Sequence, residues 1–244
     1  MNHEQRITDH ESAAECLAKP GRVARLDVFQ LLAREDSDGT SAINVCESSL
    51  SGIELTIKRL VDIGGALFGL VLFSPVMLLI SILIPLTSRG PIFYRQKRVG
   101  LNGQIFEILK FRSMVVCEDC DTMTQAILND SRCTRIGEFL RKTSLDELPQ
   151  LVNVLQGTMS IVGPRPHAVK HNEQCRSIIS GYMLRHLMKP GITGWAQVNG
   201  WRGNTSIEKR VECDLYYIQN WSLWFDLWII LLTIVKGFIN KNAY

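Results

Sequence analysis

The densest group of reactive side chains in the sequence is Arg141-Lys142-Thr143-Ser144-Leu145-Asp146-Glu147-Leu148-Pro149-Gln150, where two acids follow closely on two bases. Neighbouring residues on a helix point about 100° apart, so adjacent carboxylates suit two separate roles better than one shared role. One could attack phosphorus as a nucleophile and form an acyl phosphate. The other could bind a hard cation such as Mg²⁺, which neutralises phosphate charge and assists a leaving group. The same letters also read as an ordinary helix start. Ser144 and Glu147 have capping-box spacing, and Asp146 favours the dipole of a helix beginning there. From this segment alone the helix start is the simpler reading. The two roles for Glu147 compete, because a side chain folded back onto Ser144 cannot also hold a metal ion well.

The surroundings shift the balance towards phosphate chemistry. Pro164-Arg165-Pro166, Lys189 and the glycine- and tryptophan-rich run Trp195 to Gly203, which contains Arg202, supply what a pyrophosphate needs. Fixed cations grip the oxygens, and glycines let backbone donors approach. Upstream, Arg89 to Arg112 carries Arg89, Arg95, Lys97, Arg98, Lys110 and Arg112 against the single acid Glu107. Such a patch suits an anionic membrane surface or an anionic substrate.

These residues need elements to hold them. Ile63 through Leu86 contains no charged residue. As one helix it would reach about 36 Å, enough to cross a hydrocarbon core of about 30 Å. Ser74-Pro75 sits at its centre, where proline removes a backbone donor and an adjacent serine can absorb the freed carbonyl. Lys58 and Arg59 precede the segment, and Arg89, Arg95, Lys97 and Arg98 follow it. With both flanks basic, the positive-inside rule places both ends on one side, which predicts a re-entrant helical hairpin rather than a spanning helix. Extended pieces are predicted at Ile92–Tyr94 and Gln104–Leu109 around the turn Gly100–Gly103. Val116 to Ser131 reads as a polar helix or loop. Apolar spacing predicts a helix from Arg135 to Leu155, ended by Gly157. An extended run from Ser160 to Arg165, a short helix from Gly181 to Leu187 and a helix from Ile207 to Trp221 follow. The C-terminal stretch Trp221 to Ile239 is amphipathic and aromatic. Trp221, Trp224 and Trp228 fall on one side and Asp226 interrupts the apolar run, a profile of a helix lying in a membrane interface or of a buried core helix.

Composition, 46% hydrophobic and 21% charged, excludes a wholly disordered chain, and a net charge of +3 is weak overall. Residues 1–52 read as a polar, flexible tail with a short helix near Val23–Ala33. The apolar run begins far from Met1, unlike a signal peptide. Seven cysteines at irregular spacing include one CxxC pair, Cys117 and Cys120, with no second pair to complete a zinc site. They read as reduced thiols in a cytosolic setting.

Several of these stretches occur together and in order in one family. Lys58-Arg59-Leu60-Val61-Asp62, Ser74-Pro75, Gly90-Pro91-Ile92-Phe93-Tyr94-Arg95-Gln96, Lys110-Phe111-Arg112-Ser113-Met114, the segment Leu140–Gln150, Val162-Gly163-Pro164-Arg165-Pro166 and Lys189-Pro190-Gly191-Ile192-Thr193-Gly194-Trp195 resemble the bacterial sugar transferases, the monotopic polyprenyl-phosphate phosphoglycosyl transferases. The resemblance runs from about Ile53 to the C-terminus. It implies transfer of a sugar 1-phosphate from a UDP-sugar to polyprenyl (undecaprenyl) phosphate, releasing UMP. It further implies a ping-pong reaction through a phosphosugar on Asp146, with Glu147 on Mg²⁺. Arg165 is expected near substrate phosphate, with Lys110, Arg112, Arg141, Lys189 and Arg202 as further candidate phosphate-binding cations. Ser74 and Pro75 would break the membrane helix. Gly194 to Gly203 resembles the hexose-type subgroup that starts exopolysaccharides, with galactose or glucose as the sugar. The larger members carry several spanning helices before this domain, where this chain has the polar tail.

The architecture so implied is an α-rich α/β monotopic membrane protein. It would have a tail (1–52), a re-entrant membrane helix (53–88), a small cytosolic catalytic domain (89–220) and an interfacial amphipathic helix (221–244). Its place would be the cytoplasmic face of the bacterial inner membrane. Its partners would be UDP-sugar, polyprenyl phosphate and membrane lipid, with a homodimer allowed and no nucleic acid. Two other readings stay open at this point: a non-catalytic membrane scaffold for polysaccharide assembly, and a phosphatase acting on lipid diphosphates through the same acyl phosphate.

Overall fold

The computed structural model describes residues 52–114, 132–179, 181–203 and 205–237. The tail, its expected short helix, the Val116–Ser131 segment, the CxxC pair and the last residues of the C-terminal stretch lie outside the described residues. The described residues are helix-rich, with two small two-stranded sheets.

The chain opens with one long apolar helix, α1 (Gly52–Thr87), long enough to cross a membrane. It runs unbroken through Pro75, so the hairpin expected from the sequence appears here as a single continuous helix. Proline costs the helix the bond that would end on the Val71 carbonyl. The Ser74 hydroxyl donates to that same carbonyl at 2.8 Å, which repairs the loss locally. Both halves of α1 return to one domain. Ala66 packs with Ile108, Val154 and Met159, and Ile80 and Ile84 pack with Phe111 and Leu140. Between them, every residue from Val71 to Val76 is exposed.

The two cations that precede the apolar run, Lys58 and Arg59, are not solvent-facing charges. Lys58 is buried and donates to Asp226 at 2.7 Å, to the Val162 carbonyl at 3.1 Å and to the Tyr217 hydroxyl at 3.3 Å. Arg59 caps the carbonyls of Val154 and Leu155 at 2.6 and 2.7 Å. Asp62 accepts from the Ser160 hydroxyl and the Ile161 amide, both at 2.8 Å. Within five positions the helix is bolted to four parts of the domain. The positive-inside argument therefore loses its first two cations: they serve the fold, because a buried charge must find partners.

Strands β1 (Phe93–Val99) and β2 (Ile105–Phe111) form an antiparallel hairpin with Tyr94 opposite Lys110 and Val99 opposite Ile105. Its turn uses left-handed backbone at Asn102 and Gly103. Helix α2 (Arg135–Thr143), capped by Thr134, ends at Ser144, which is left-handed with φ of 58°. A 3₁₀ turn (Leu145–Glu147) leads into α3 (Gln150–Gln156). The single helix expected over Arg135–Leu155 is thus broken in two at Ser144, a departure that apolar spacing does not register. β3 (Ser160–Val162) pairs in parallel with β4 (Gly191–Thr193). The two strands lie so close that a Cβ on Gly163 would meet the Lys189 carbonyl at 2.3 Å, so glycine is required there. Between these strands run α4 (Val169–Ile178) and a 3₁₀ segment (Tyr182–Leu187). The short α5 (Trp195–Val198), α6 (Ile207–Gln219) and α7 (Leu223–Gly237) complete the domain.

Helix α7 buries Ile229 and Asp226 and exposes Trp224, Leu227, Trp228, Leu231 and Ile234. Trp224 is 81% exposed. These residues recur at helical spacing, so the helix shows an apolar stripe to the outside. Trp221 does not join it. It packs into the domain core and donates to Asp226 at 3.1 Å.

Candidate active site

Asp146 and Glu147 lie on the 3₁₀ turn between α2 and α3, and both are buried, 8% and 7% exposed. The left-handed Ser144 turns the chain so that the two acids face inward under β2 and the Pro164–Pro166 loop. Ser144 makes no side-chain cap, and Glu147 does not fold back onto it. The capping-box reading is therefore corrected: Glu147 instead takes an ion pair from Lys110 at 2.8 Å and a two-pronged one from Arg165, whose Nη1 stands at 3.1 Å. Arg202 approaches the same carboxylate at 3.9 Å.

The two acids ionise differently. Burial pushes the Asp146 carboxyl up, the neighbouring Glu147 charge adds to it, and the result is about 6. Burial also works against ionised Glu147, but the Arg165 and Lys110 cations outweigh it and hold it well below the usual carboxylate range. Among the described residues no hydrogen bond ends on the Asp146 carboxylate. A pair of neighbouring groups pushed apart in this way divides labour between an ion-pairing anchor and a reactive group.

Of the cations named from the sequence, the fold brings Lys110, Arg165 and Arg202 to the acid pair. Arg141 lies against the sulfurs of Met114 and Cys133 at 3.7 Å and close enough to Arg202 to lower it. Two stand elsewhere. Arg112 is buried and donates to the carbonyls of Ser88 and Arg89 at 2.6 and 2.8 Å, closing the C-terminal end of α1. Lys189 lies beside Arg59 and Gly157, beneath the start of α1. Both motif cations therefore lie near helix ends and away from the acid pair. Ser74 and Pro75 lie at the exposed middle of α1, far along the chain from the acids.

The family model described as bacterial sugar transferase matches residues 53–240. The chain belongs to that family. It is 55% identical over 214 residues to the UDP-glucose:undecaprenyl-phosphate glucose-1-phosphate transferase of Escherichia coli (strain K12), covering 86% of this chain and 46% of that protein. Proteins of the same name from Xanthomonas campestris pv. campestris and Caulobacter vibrioides are 46% and 47% identical over 229 and 191 residues. Those matches cover 89% and 77% of this chain, and 47% and 72% of the respective relatives. The chain thus spans about half the length of the first of these relatives. Every residue of the acid–cation cluster falls within the matched region.

Sequence reading missed a group of buried polar side chains that holds the Arg165 loop from behind. Arg185, Asp214, His167 and Tyr182 are all buried and joined by hydrogen bonds. None sits in a charged run or a repeated spacing, so the sequence offers no signal for them. His167, His171 and Cys175 also bring their ligating atoms within 4.8 Å of one another. Arg185 donates to Nδ1 of His167 at 2.7 Å, which leaves the proton on Nε2 and no free ring nitrogen for a metal. Burial, then Arg185, holds His167 well below its ordinary value, so the ring is neutral.

Proposed function

We propose that this protein transfers glucose 1-phosphate from UDP-glucose to undecaprenyl phosphate, releasing UMP, through a covalent intermediate on Asp146. The observation that carries this reading is the buried acid pair, in which Glu147 is ion-paired by Lys110 and Arg165 while Asp146 accepts no hydrogen bond from the described residues. The choice of glucose over galactose follows the names of the relatives described above. In the first half-reaction an Asp146 carboxylate oxygen attacks the β-phosphorus. The bond from that phosphorus to the oxygen bridging to the α-phosphate breaks, and UMP leaves with the electron pair. In the second, an oxygen of the lipid phosphate attacks the same phosphorus and Asp146 is released as carboxylate. The three cations around Glu147 receive the diphosphate oxygens, where charge-assisted contacts hold and polarise them.

Mg²⁺ fits this site in one way. Both Glu147 oxygens are engaged by Lys110 and Arg165, so a bare ion would have to displace a cation. Glu147 would hold the ion only together with the diphosphate, whose oxygens would give Lys110 and Arg165 new partners, as Mg²⁺ is usually held by one or two carboxylates plus phosphates. Bound there, it would neutralise charge on the diphosphate and ease the departure of UMP.

The exposed stretch Val71–Val76 at the middle of α1, with both halves of the helix packed on one domain, supports an anchor that enters and leaves the same leaflet. The exposed apolar stripe of α7 supports an in-plane helix at that surface. Together they suit an enzyme working where the lipid phosphate meets the cytoplasmic face of the inner membrane. The test is to supply UDP-glucose, UDP-galactose and UDP-N-acetylgalactosamine with undecaprenyl phosphate, then measure UMP and analyse the lipid product. The reading expects UMP release with UDP-glucose and a lipid diphosphate that keeps the sugar. A lipid product without sugar would instead identify a phosphatase, and UMP release with another sugar alone would correct the donor.

A further inference from the structure

The loop that presents Arg165 to Glu147 contains Pro164 and Pro166, which have no backbone N–H and cannot pair the loop into a sheet. Its carbonyls still need donors when buried. Four successive carbonyls each receive one, from three separate parts of the chain. Gly191 N donates to Pro164 O at 3.0 Å, and Val99 N donates to His167 O at 3.3 Å. The two between them are held by side chains. Arg185 Nη2 donates to Arg165 O at 2.7 Å, and Arg98 Nη1 donates to Pro166 O at 3.1 Å.

Arg185 is the more deeply set of these two guanidiniums, at 2% exposed. The same Nη2 also donates to Asp214 on α6 at 2.7 Å. Nη1 donates to His167 Nδ1 at 2.7 Å and to the Tyr182 hydroxyl at 3.1 Å. Arg185 therefore ties the backbone of Arg165, the residue two positions on and helix α6 into one rigid group. It touches neither Glu147 nor Asp146. A buried ion pair of this kind contributes little net stability but fixes geometry.

We propose that Arg185, held by Asp214, is a positioning residue: it sets where the Arg165 guanidinium stands against Glu147 and the substrate diphosphate. This rests on the role given above to Arg165. Arginine is needed because the planar fork reaches four acceptors on three elements at once, whereas a lysine ammonium serves as a single point.

The test is a double-mutant cycle on kcat/KM for UMP release, with thermal melting followed for every variant. Arg165→Ala, Arg185→Lys and Asp214→Asn are made singly, and each of the last two is combined with Arg165→Ala. Arg185→Lys alone is expected to lower kcat/KM by about 30- to 100-fold, the cost of a misplaced phosphate ligand. Once Arg165 is gone, the same change should cost less than about threefold, because contacts acting through one residue are not additive. Asp214→Asn keeps the shape and loosens Arg185, so it should repeat the pattern more weakly and covers the case in which Arg185→Lys does not fold. Equal losses with and without Arg165, or full activity in folded Arg185→Lys and Asp214→Asn, would overturn the proposal. Full activity in Arg165→Ala would instead overturn the role given to Arg165 itself, so the two failures are distinguishable.

Discussion

Two of the buried groups of charge among the described residues are built differently. At the start of α1, Lys58 meets Asp226 one to one at 2.7 Å. Asp226 also accepts from Tyr217 at 2.6 Å and from Trp221 at 3.1 Å, while Lys58 adds the Val162 carbonyl. That cluster is complete within the protein. At the other, Lys110, Arg165 and Arg202 face Asp146 and Glu147, so among the described residues cations outnumber carboxylates and Asp146 accepts no hydrogen bond. Buried charge without a partner is costly, so it persists where a ligand completes it. The closed cluster satisfies its own charges, and the open one has the spare cations that the proposed diphosphate substrate requires.

The comparison breaks most sharply at its two aspartates. Asp146→Asn keeps the side-chain shape and removes the nucleophile. UMP release is expected to fall by more than about 10³-fold, as when a nucleophile is removed, with the melting temperature unchanged or raised. Asp226→Asn should do the reverse. It leaves Lys58 buried without its counter-charge, a loss of about 3–5 kcal/mol that lowers melting in detergent by roughly 10 °C. Turnover per folded molecule should stay within about threefold, because no reacting group has moved. If Asp226→Asn abolished turnover while leaving melting untouched, the division between a structural and a reactive cluster would be wrong.

The pH profile sharpens the contrast within the open cluster. Asp146 must be ionised to attack, and its carboxyl is raised to about 6. Glu147 lies well below the usual range and stays ionised throughout. Activity should therefore fall as pH drops through about 6, approaching tenfold per unit below it. Lys58 and Asp226 should leave that limb unmoved. A flat profile between pH 5 and 7 would contradict the assignment.

The smallest expected effect concerns the exposed stripe of α7. With vesicles carrying brominated lipid, Trp224→Ala with Trp228→Ala should remove about half or more of the quenchable tryptophan fluorescence, because both rings are exposed and the proposed in-plane helix would bring them to the interface. Equal quenching in wild type and double variant would mean that this stripe faces water.

How legible this was from sequence depended on the kind of signal. The hairpin announced itself through Gly100-Leu101-Asn102-Gly103, and Ser74 was readable as the donor that repairs Pro75, because both effects are local. The acid pair was visible as chemistry, but its setting was not. Apolar spacing ran straight through Ser144, whose left-handed backbone creates the turn that buries Asp146 and Glu147. Helix α4 escaped notice because Val169–Ile178 is polar, weakly amphipathic and lacks a side-chain cap. Motif membership also did not separate cations by use. Arg112 and Lys189 stand in matched segments, yet the first caps α1 and the second lies beneath it. Arg185 and Asp214, 29 positions apart, meet only in the folded chain.

The central claim is that Asp146 carries the sugar phosphate. The direct measurement is to incubate the enzyme with UDP-glucose labelled in both the sugar and the β-phosphate, without lipid acceptor, and to map the adduct by mass spectrometry. The account predicts both labels on Asp146, released to undecaprenyl phosphate when it is added and absent in Asp146→Asn. Label on another residue, or no adduct in an enzyme that turns over normally, would contradict it.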